Sequence, residues 1–222
     1  AMTSAHDQYF VFDLVTKEPG KAVRKLSFEV TIQGTDKRFI RFLAPGDVKD
    51  MRILIQSLTK MYVYLPAYKK VRRVAGHVRD QGFMGSAYSY DEMAIVTYGN
   101  VYDADLISED EKTWTLLGKR RPGKEGHIRY HKIKFVIRKS DFQVKELVYF
   151  NDKDVKLKTE TRSNFECQGK HCNPRLMKIV DHTRNDIQSM LIRKKWKPNP
   201  GVPADFFSFI KNPAKVDQSF PV

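Results

Sequence analysis

The sequence predicts a mainly β protein built as one large, curved antiparallel sheet. Three observations carry this. Apolar and polar residues alternate in several stretches, turn formers recur at hairpin spacing, and little of the chain has helical periodicity. Roughly eleven strands follow, and a sheet of that size must twist, curl or close.

The first strand is 9–17, YFVFDLVTK, ended by a turn at Pro19-Gly20. Residues 23–33 alternate cleanly: Leu26, Phe28, Val30 and Ile32 fall on one face, Lys25, Ser27, Glu29 and Thr31 on the other. After a turn at Gly34 comes 37–43, with Phe39 and Phe42 on opposite faces. Large rings on both faces predict that both are partly covered. Pro45-Gly46 breaks this strand, and 51–58 follows it. Residues 61–65, MYVYL, form a strand stopped by Pro66, and 68–74 a basic one holding Lys69, Lys70, Arg72 and Arg73.

Gly76 opens a loop in which Gly82 and Gly85 bracket Phe83 and Met84. Ser89-Tyr-Asp-Glu92 has the spacing of a capping box and predicts a short helix over 90–95. The acidic island with Asp103, Asp105, Glu109, Asp110 and Glu111 lacks the glycine of an EF-hand loop and reads as a solvated connection. Strands are then expected at 114–117, 128–138, 144–150 and 155–165, the last polar and rich in threonine. A final hairpin pairs 176–180 with 188–196, with Asn185-Asp186 at its tip. Residues 204–210, ADFFSFI, read as a short apolar helix or turn packed back on the sheet.

The stretch YLPAYKKVRRVAG, with GFMGS and YSYDEM after it, resembles the signature of outer-membrane lipoprotein-sorting proteins with a LolA/LolB-like fold. RFLAPGDVKDMRIL upstream and NPGVPADFFSF downstream are similar to the same family, so the resemblance runs colinearly over about residues 23–209. It implies a half-open barrel whose apolar concave face is covered by short helices. It also implies non-catalytic carriage of lipoprotein acyl chains or other lipids in the periplasm. The whole chain, 1–222, is then a single LolA/LolB-like domain, with 1–8 and 211–222 as flexible ends. Family members begin with an amphipathic helix, whereas YFVFDLV comes here almost at once. The opening AMTSAHDQ has no charged n-region or apolar core, so a signal peptide is expected to have been removed.

Forty Lys and Arg against 26 Asp and Glu leave a net charge of +14. These cations are spread over many strands, which argues against a nucleic-acid partner and leaves peripheral contact with an anionic membrane or an envelope transporter component open. No nucleophile elbow, H-E-x-x-H or P-loop occurs, so no catalytic residue, metal or cofactor is expected. Cys167 and Cys172 have the spacing of a disulfide across a turn; free thiols, or a metal held with His171, are the alternatives.

The chain carries 24 Phe and Tyr rings, 14 and ten respectively, most of which suit a core. A curled sheet nevertheless leaves an apolar hollow suited to an acyl chain. The candidates for its mouth are Tyr62, Tyr64, Leu65, Phe83, Met84, Tyr88 and Met93. Lys69, Lys70, Arg72 and Arg73 are the candidates for a headgroup or partner contact, or else a charged edge that blocks strand pairing. A second functional expectation is an accessory interaction subunit of an envelope export or efflux system, with no ligand of its own.

Overall fold

The computed structural model describes residues 5–35, 37–79, 81–95, 97–124, 128–203 and 205–207. Six strands make one half of the sheet: β1 (Asp7–Lys17), β2 (Arg24–Gln33), β3 (Lys37–Ala44), β4 (Arg52–Ser57), β5 (Lys60–Leu65) and β6 (Lys70–Arg73). Seven make the other: β7 (Tyr102–Glu109), β8 (Thr113–Arg120), β9 (Lys132–Arg138), β10 (Val144–Phe150), β11 (Lys156–Gln168), β12 (His171–Asp181) and β13 (Ile187–Pro198). Each half is an antiparallel meander. They join where β1 pairs with β13, giving one open sheet of order β6-β5-β4-β3-β2-β1-β13-β12-β11-β10-β9-β8-β7.

The inner face is the main core. Phe10, Phe12 and Leu14 of β1 meet Leu26, Phe28 and Val30 of β2 and Ile40 and Phe42 of β3, each buried. This is the alternation read from the sequence, and burying so many large side chains is the dominant stabilising term, about 1.5–3 kcal/mol for each. The outer face carries a second, smaller cluster. Phe39 and Leu54 are covered there by Val202 and Phe207, with Tyr64, Val71 and Phe206 around them. Both faces of β3 are therefore covered, and ADFFSFI packs on the sheet through Phe206 and Phe207. Residue 204 and residues 208–222 of that prediction lie outside the described residues.

Three sequence expectations are corrected. The sheet has 13 strands, because the acidic island is the edge strand β7. Only Tyr102 of β7 is buried, and an edge strand paired on one side needs no apolar face to hold it. The long strand expected from residue 128 starts only at Lys132; Ile128 and Tyr130 precede it as buried core residues. At the start of the chain, Asp7 and Gln8 already belong to β1, so the flexible end expected over 1–8 does not include these two.

Cys167 and Cys172 face each other at the end of the β11–β12 hairpin and are joined by a disulfide. Asp141 lies close to both sulfurs, but sulfurs bonded to each other are not thiolate ligands, which removes the metal alternative at this turn.

Candidate functional site

The chain leaves the sheet at one edge, β6, and re-enters it at the opposite edge, β7. Between them the described residues of 74–101 cross the inner face as a plug. It holds the one α-helix among the described residues, α1 (Tyr90–Ala94), together with short 3-10 turns. Ser89 caps α1 as its spacing predicts: its hydroxyl accepts from the Glu92 backbone N–H, and the Glu92 carboxylate accepts from the Ser89 N–H at 2.6 Å. Phe83 is the plug's wedge. It is fully buried between Phe28, Phe42 and Tyr90, with ring centroids 6.2, 6.0 and 5.2 Å away. Gly82 is there because space is lacking: a Cβ would stand 2.4 Å from an Arg184 nitrogen and 2.5 Å from the Ser86 carbonyl oxygen.

Cationic side chains from both halves hold the plug by its backbone carbonyls. Arg24 donates to Met84 O at 2.8 Å and Arg184 to Ser86 O at 2.7 Å. Lys158 donates to Ala87 O at 2.7 Å, and Arg38 to Met93 O and Ile95 O at the end of α1. A buried charge network lies beneath. The Lys158 ammonium sits 3.1 Å from Glu92 and 3.5 Å from Asp181, and Tyr130 donates its hydroxyl to Glu92. Further along β11, Glu160 accepts from Tyr149 at 3.1 Å and from Arg162 at 2.6 Å. Buried charges persist when paired and hydrogen-bonded in this way.

Between plug and sheet is a cavity of about 140 Å³. Phe12, Val30, Ile32, Ile40, Met177 and Leu191 form its apolar walls, and Tyr88, Met93 and Ile95 its plug side. One end is polar, with Arg38, Tyr98, Glu160 and Arg162. Burial brings the Arg38 guanidinium down to about 10; the Tyr98 phenol opposes this shift and the Arg162 charge adds to it. For Arg162 burial is the largest influence and acts downward, but the Glu160 carboxylate and the Tyr98 and Tyr149 phenols together outweigh it and hold the group above its ordinary value.

Four buried phenols line or underlie this site. Burial, helped by the Glu160 charge, pushes Tyr98 up to about 12, and burial raises Tyr88, Tyr130 and Tyr149 well above their ordinary value near 10. A phenol raised in the folded state contributes stability that is complete below about pH 10 and is lost as pH climbs through the folded value. Spectrophotometric titration of native protein near pH 10–11 is therefore expected to show fewer than the ten tyrosines of the chain. The missing phenolates should appear together with unfolding at higher pH. Ten phenols titrating while the fold stays intact would contradict the buried network.

The structure separates the residues proposed from sequence. Tyr88 and Met93 line the cavity. Phe83 is buried in the plug against Phe28 and Phe42, off the cavity wall, and Met84 follows it at a left-handed backbone position. Leu65 packs against the main core. Tyr62 and Tyr64 share one strand face, but it is the outer one: Tyr64 belongs to the outer cluster, whereas Met61 and Val63 between and beside them point into the core. The basic residues border the free edge of the sheet. Lys70 and Arg72 stand opposite Leu65 and Val63 on the inner side. Arg73, opposite Tyr62, donates to Thr59 O at 3.2 Å, and Lys69 occupies a left-handed turn position. Arg38, Lys158, Glu160 and Arg162 were not singled out from sequence. The available signal was K-x-E-x-R at 158, 160 and 162, three charges of alternating sign on one strand face.

A family model described as "Uncharacterized protein" matches residues 34–209. No curated protein matches the chain. Among solved structures, the chain is similar to a putative outer membrane lipoprotein-sorting protein domain from Vibrio parahaemolyticus, with TM-score 0.82 and 18% identity over 94% of this chain and 91% of that one. A DUF1329 family protein from Desulfovibrio piger gives TM-score 0.84 and 23% identity over 92% and 90%. A LolA superfamily protein from Nitrosomonas europaea gives 0.76 and 16% over 92% and 90%.

Proposed function

We infer that this chain, which belongs to the family matched over residues 34–209 and has the LolA-superfamily fold, is a non-catalytic periplasmic carrier of lipid or lipoprotein acyl chains. The observation that supports the reading is the apolar cavity between the inner face and the plug. Its present volume of about 140 Å³ is that of a benzene-sized hole, whereas ligand sites usually run to about 300–1,000 Å³. An acyl chain therefore enters only as the plug lifts. Lifting exposes the row of rings on β1, β2 and β3, and each buried methylene returns about 0.8 kcal/mol. The bonds to be broken run from side chains to plug carbonyls and from Lys158 and Tyr130 to the Glu92 carboxylate, groups that water or a lipid headgroup can satisfy in turn.

A fluorescent fatty-acid probe tests this. Wild type is expected to bind it, and Leu191→Asp on the inner face to weaken binding tenfold or more, because a carboxylate beside an acyl chain costs several kcal/mol in desolvation. Ile32→Trp, which fills the cavity instead, should act in the same direction. Tyr64→Asp, on the outer face, should bind as wild type. A folded wild-type protein that takes up no probe would sink the carrier reading. It would favour the accessory-subunit reading, for which the free edges β6 and β7 are the docking strands.

A further inference from the structure

A second hollow opens at the polar end of the cavity, where the β7–β8 and β9–β10 turns approach the middle of β11. It is a cleft of about 730 Å³. Lys112, Arg138, Lys139, Lys145, Arg162 and Phe165 are on its wall, with the hydroxyls of Thr113, Ser140 and Ser163 between them. The wall has one carboxylate, Glu111. Three of the five cations already have anionic partners: Arg162 with Glu160 at 2.6 Å, Arg138 with Asp141 at 3.1 Å, and Lys139 with Glu109 at 2.8 Å. Among the described residues no carboxylate pairs with the ammonium of Lys112 or Lys145, and both side chains are exposed to the cleft's solvent. Thr113 already donates its hydroxyl to Asp110, so the cleft keeps unneutralised positive charge, the Ser140 and Ser163 hydroxyls and room for a group larger than an ion.

Arg162 lines both this cleft and the apolar cavity. An apolar slot and a basic cleft meeting at one side chain match a molecule with a chain and an anionic head. Arg138 is fixed on the cleft wall by stacking 4.2 Å over the Phe165 ring, which holds its guanidinium at the cleft rather than loose in solvent. Phosphate fits this donor set better than a carboxylate does, because its three terminal oxygens accept from several cations and hydroxyls at once.

We propose that the cleft around Lys112, Lys145 and Arg162 receives the phosphate headgroup of an anionic lipid whose acyl chain occupies the cavity. The proposal rests on the carrier reading, since the chain must find its place under the plug. The test is calorimetric titration of the whole protein with submicellar decyl phosphate, with nonionic decyl glucoside and with inorganic phosphate. Each is repeated on the double variant Lys112→Glu, Lys145→Glu, whose sites are on the surface. Decyl phosphate is expected to bind wild type about 10- to 30-fold tighter than decyl glucoside at low salt. The double variant should lose that advantage and keep its affinity for the glucoside. Equal affinities in wild type, or an advantage that survives in the variant, would overturn the headgroup site and leave the carrier reading standing. Inorganic phosphate binding as tightly as decyl phosphate, with the glucoside silent, would make the cleft a free-anion site and overturn the link to the chain. Failure of both amphiphiles would remove the carrier reading and this proposal with it.

Discussion

Replacing Lys158 by Met should lower the stability of the folded protein by about 3–5 kcal/mol, the usual cost of removing one partner from a buried ion pair. Lys158 is 2% exposed, and its ammonium is the cation facing Glu92 and Asp181, both buried. Methionine keeps much of the stem's volume, so the loss comes from charge and not from a hole. Asp181 would retain its bonds from Thr183, and Glu92 those from Ser89 and Tyr130, but two carboxylates would share a dry site without a counter-ion. The Ala87 carbonyl would lose its donor as well. Urea unfolding measures this as a lower midpoint with an unchanged slope. Adding Glu92→Gln to the variant should recover part of the loss, because it removes one of the stranded charges. A midpoint unchanged in Lys158→Met would mean that the network contributes nothing to holding the plug.

Phe83→Ala is expected to cost about 3–5 kcal/mol, as large-to-small changes of a buried Phe do. Here the hole would open at the contact between plug and sheet. Phe83 contacts β2 and β3 through Phe28 and Phe42, and the plug itself through Tyr90. Its loss should therefore loosen the plug before it loosens the sheet. Two measurements distinguish the variant from a merely unstable protein. Amide exchange should accelerate in residues 81–95 more than in β1 and β13, and stopped-flow uptake of a fatty-acid probe should be faster than in wild type. Uniform acceleration across the sheet, with slower or unchanged uptake, would show that Phe83 is a core residue without a gating role.

Much of the fold was legible because its signals are local. The apolar set Leu26, Phe28, Val30 and Ile32 alternates with polar residues, so the strand and its buried face can be read together. Ser89 and Glu92 make both halves of a capping box within four residues, so the helix start is visible without tertiary information. MYVYL was different. Every residue after Lys60 in β5 is apolar or aromatic, so the strand was clear but its inward face was not. Only the partners across β4 show that Met61 points inward and Tyr64 outward. Residues 102–109 hid their strand for the opposite reason, since seven of the eight side chains are exposed and none reports a core.

The site was the least legible part. KLKTETR in β11 has the composition of a solvated strand, because Lys, Glu and Arg are rarely buried. Lys158 and Glu160 are buried all the same, since Glu92, Asp181 and Tyr149 arrive beside them from other elements, with Arg162 alone a local partner. Burial of a charge depends on such partners, and most of them are not encoded in the charge's own neighbourhood. Arg38 was hidden in the same way. It stands between strand residues of ordinary appearance, and its acceptors are backbone carbonyls, which any sequence would supply.

The join between the two meanders also governs when the protein can fold. In that join Gln8 meets Pro198 and Lys17 meets Gln188, almost the whole chain apart. During synthesis β1 and β2 can pair at once, yet β1 keeps an open edge until residue 198 has emerged. Closing so long a loop is entropically costly, and folding rates fall as contacts become more distant in sequence. The first half should therefore stay a partial, slowly consolidating meander while the second is being made. Its free edge carries YFVFDLV, a run of the kind that pairs with stray strands. A chain with this order gains from having that edge shielded until the join closes.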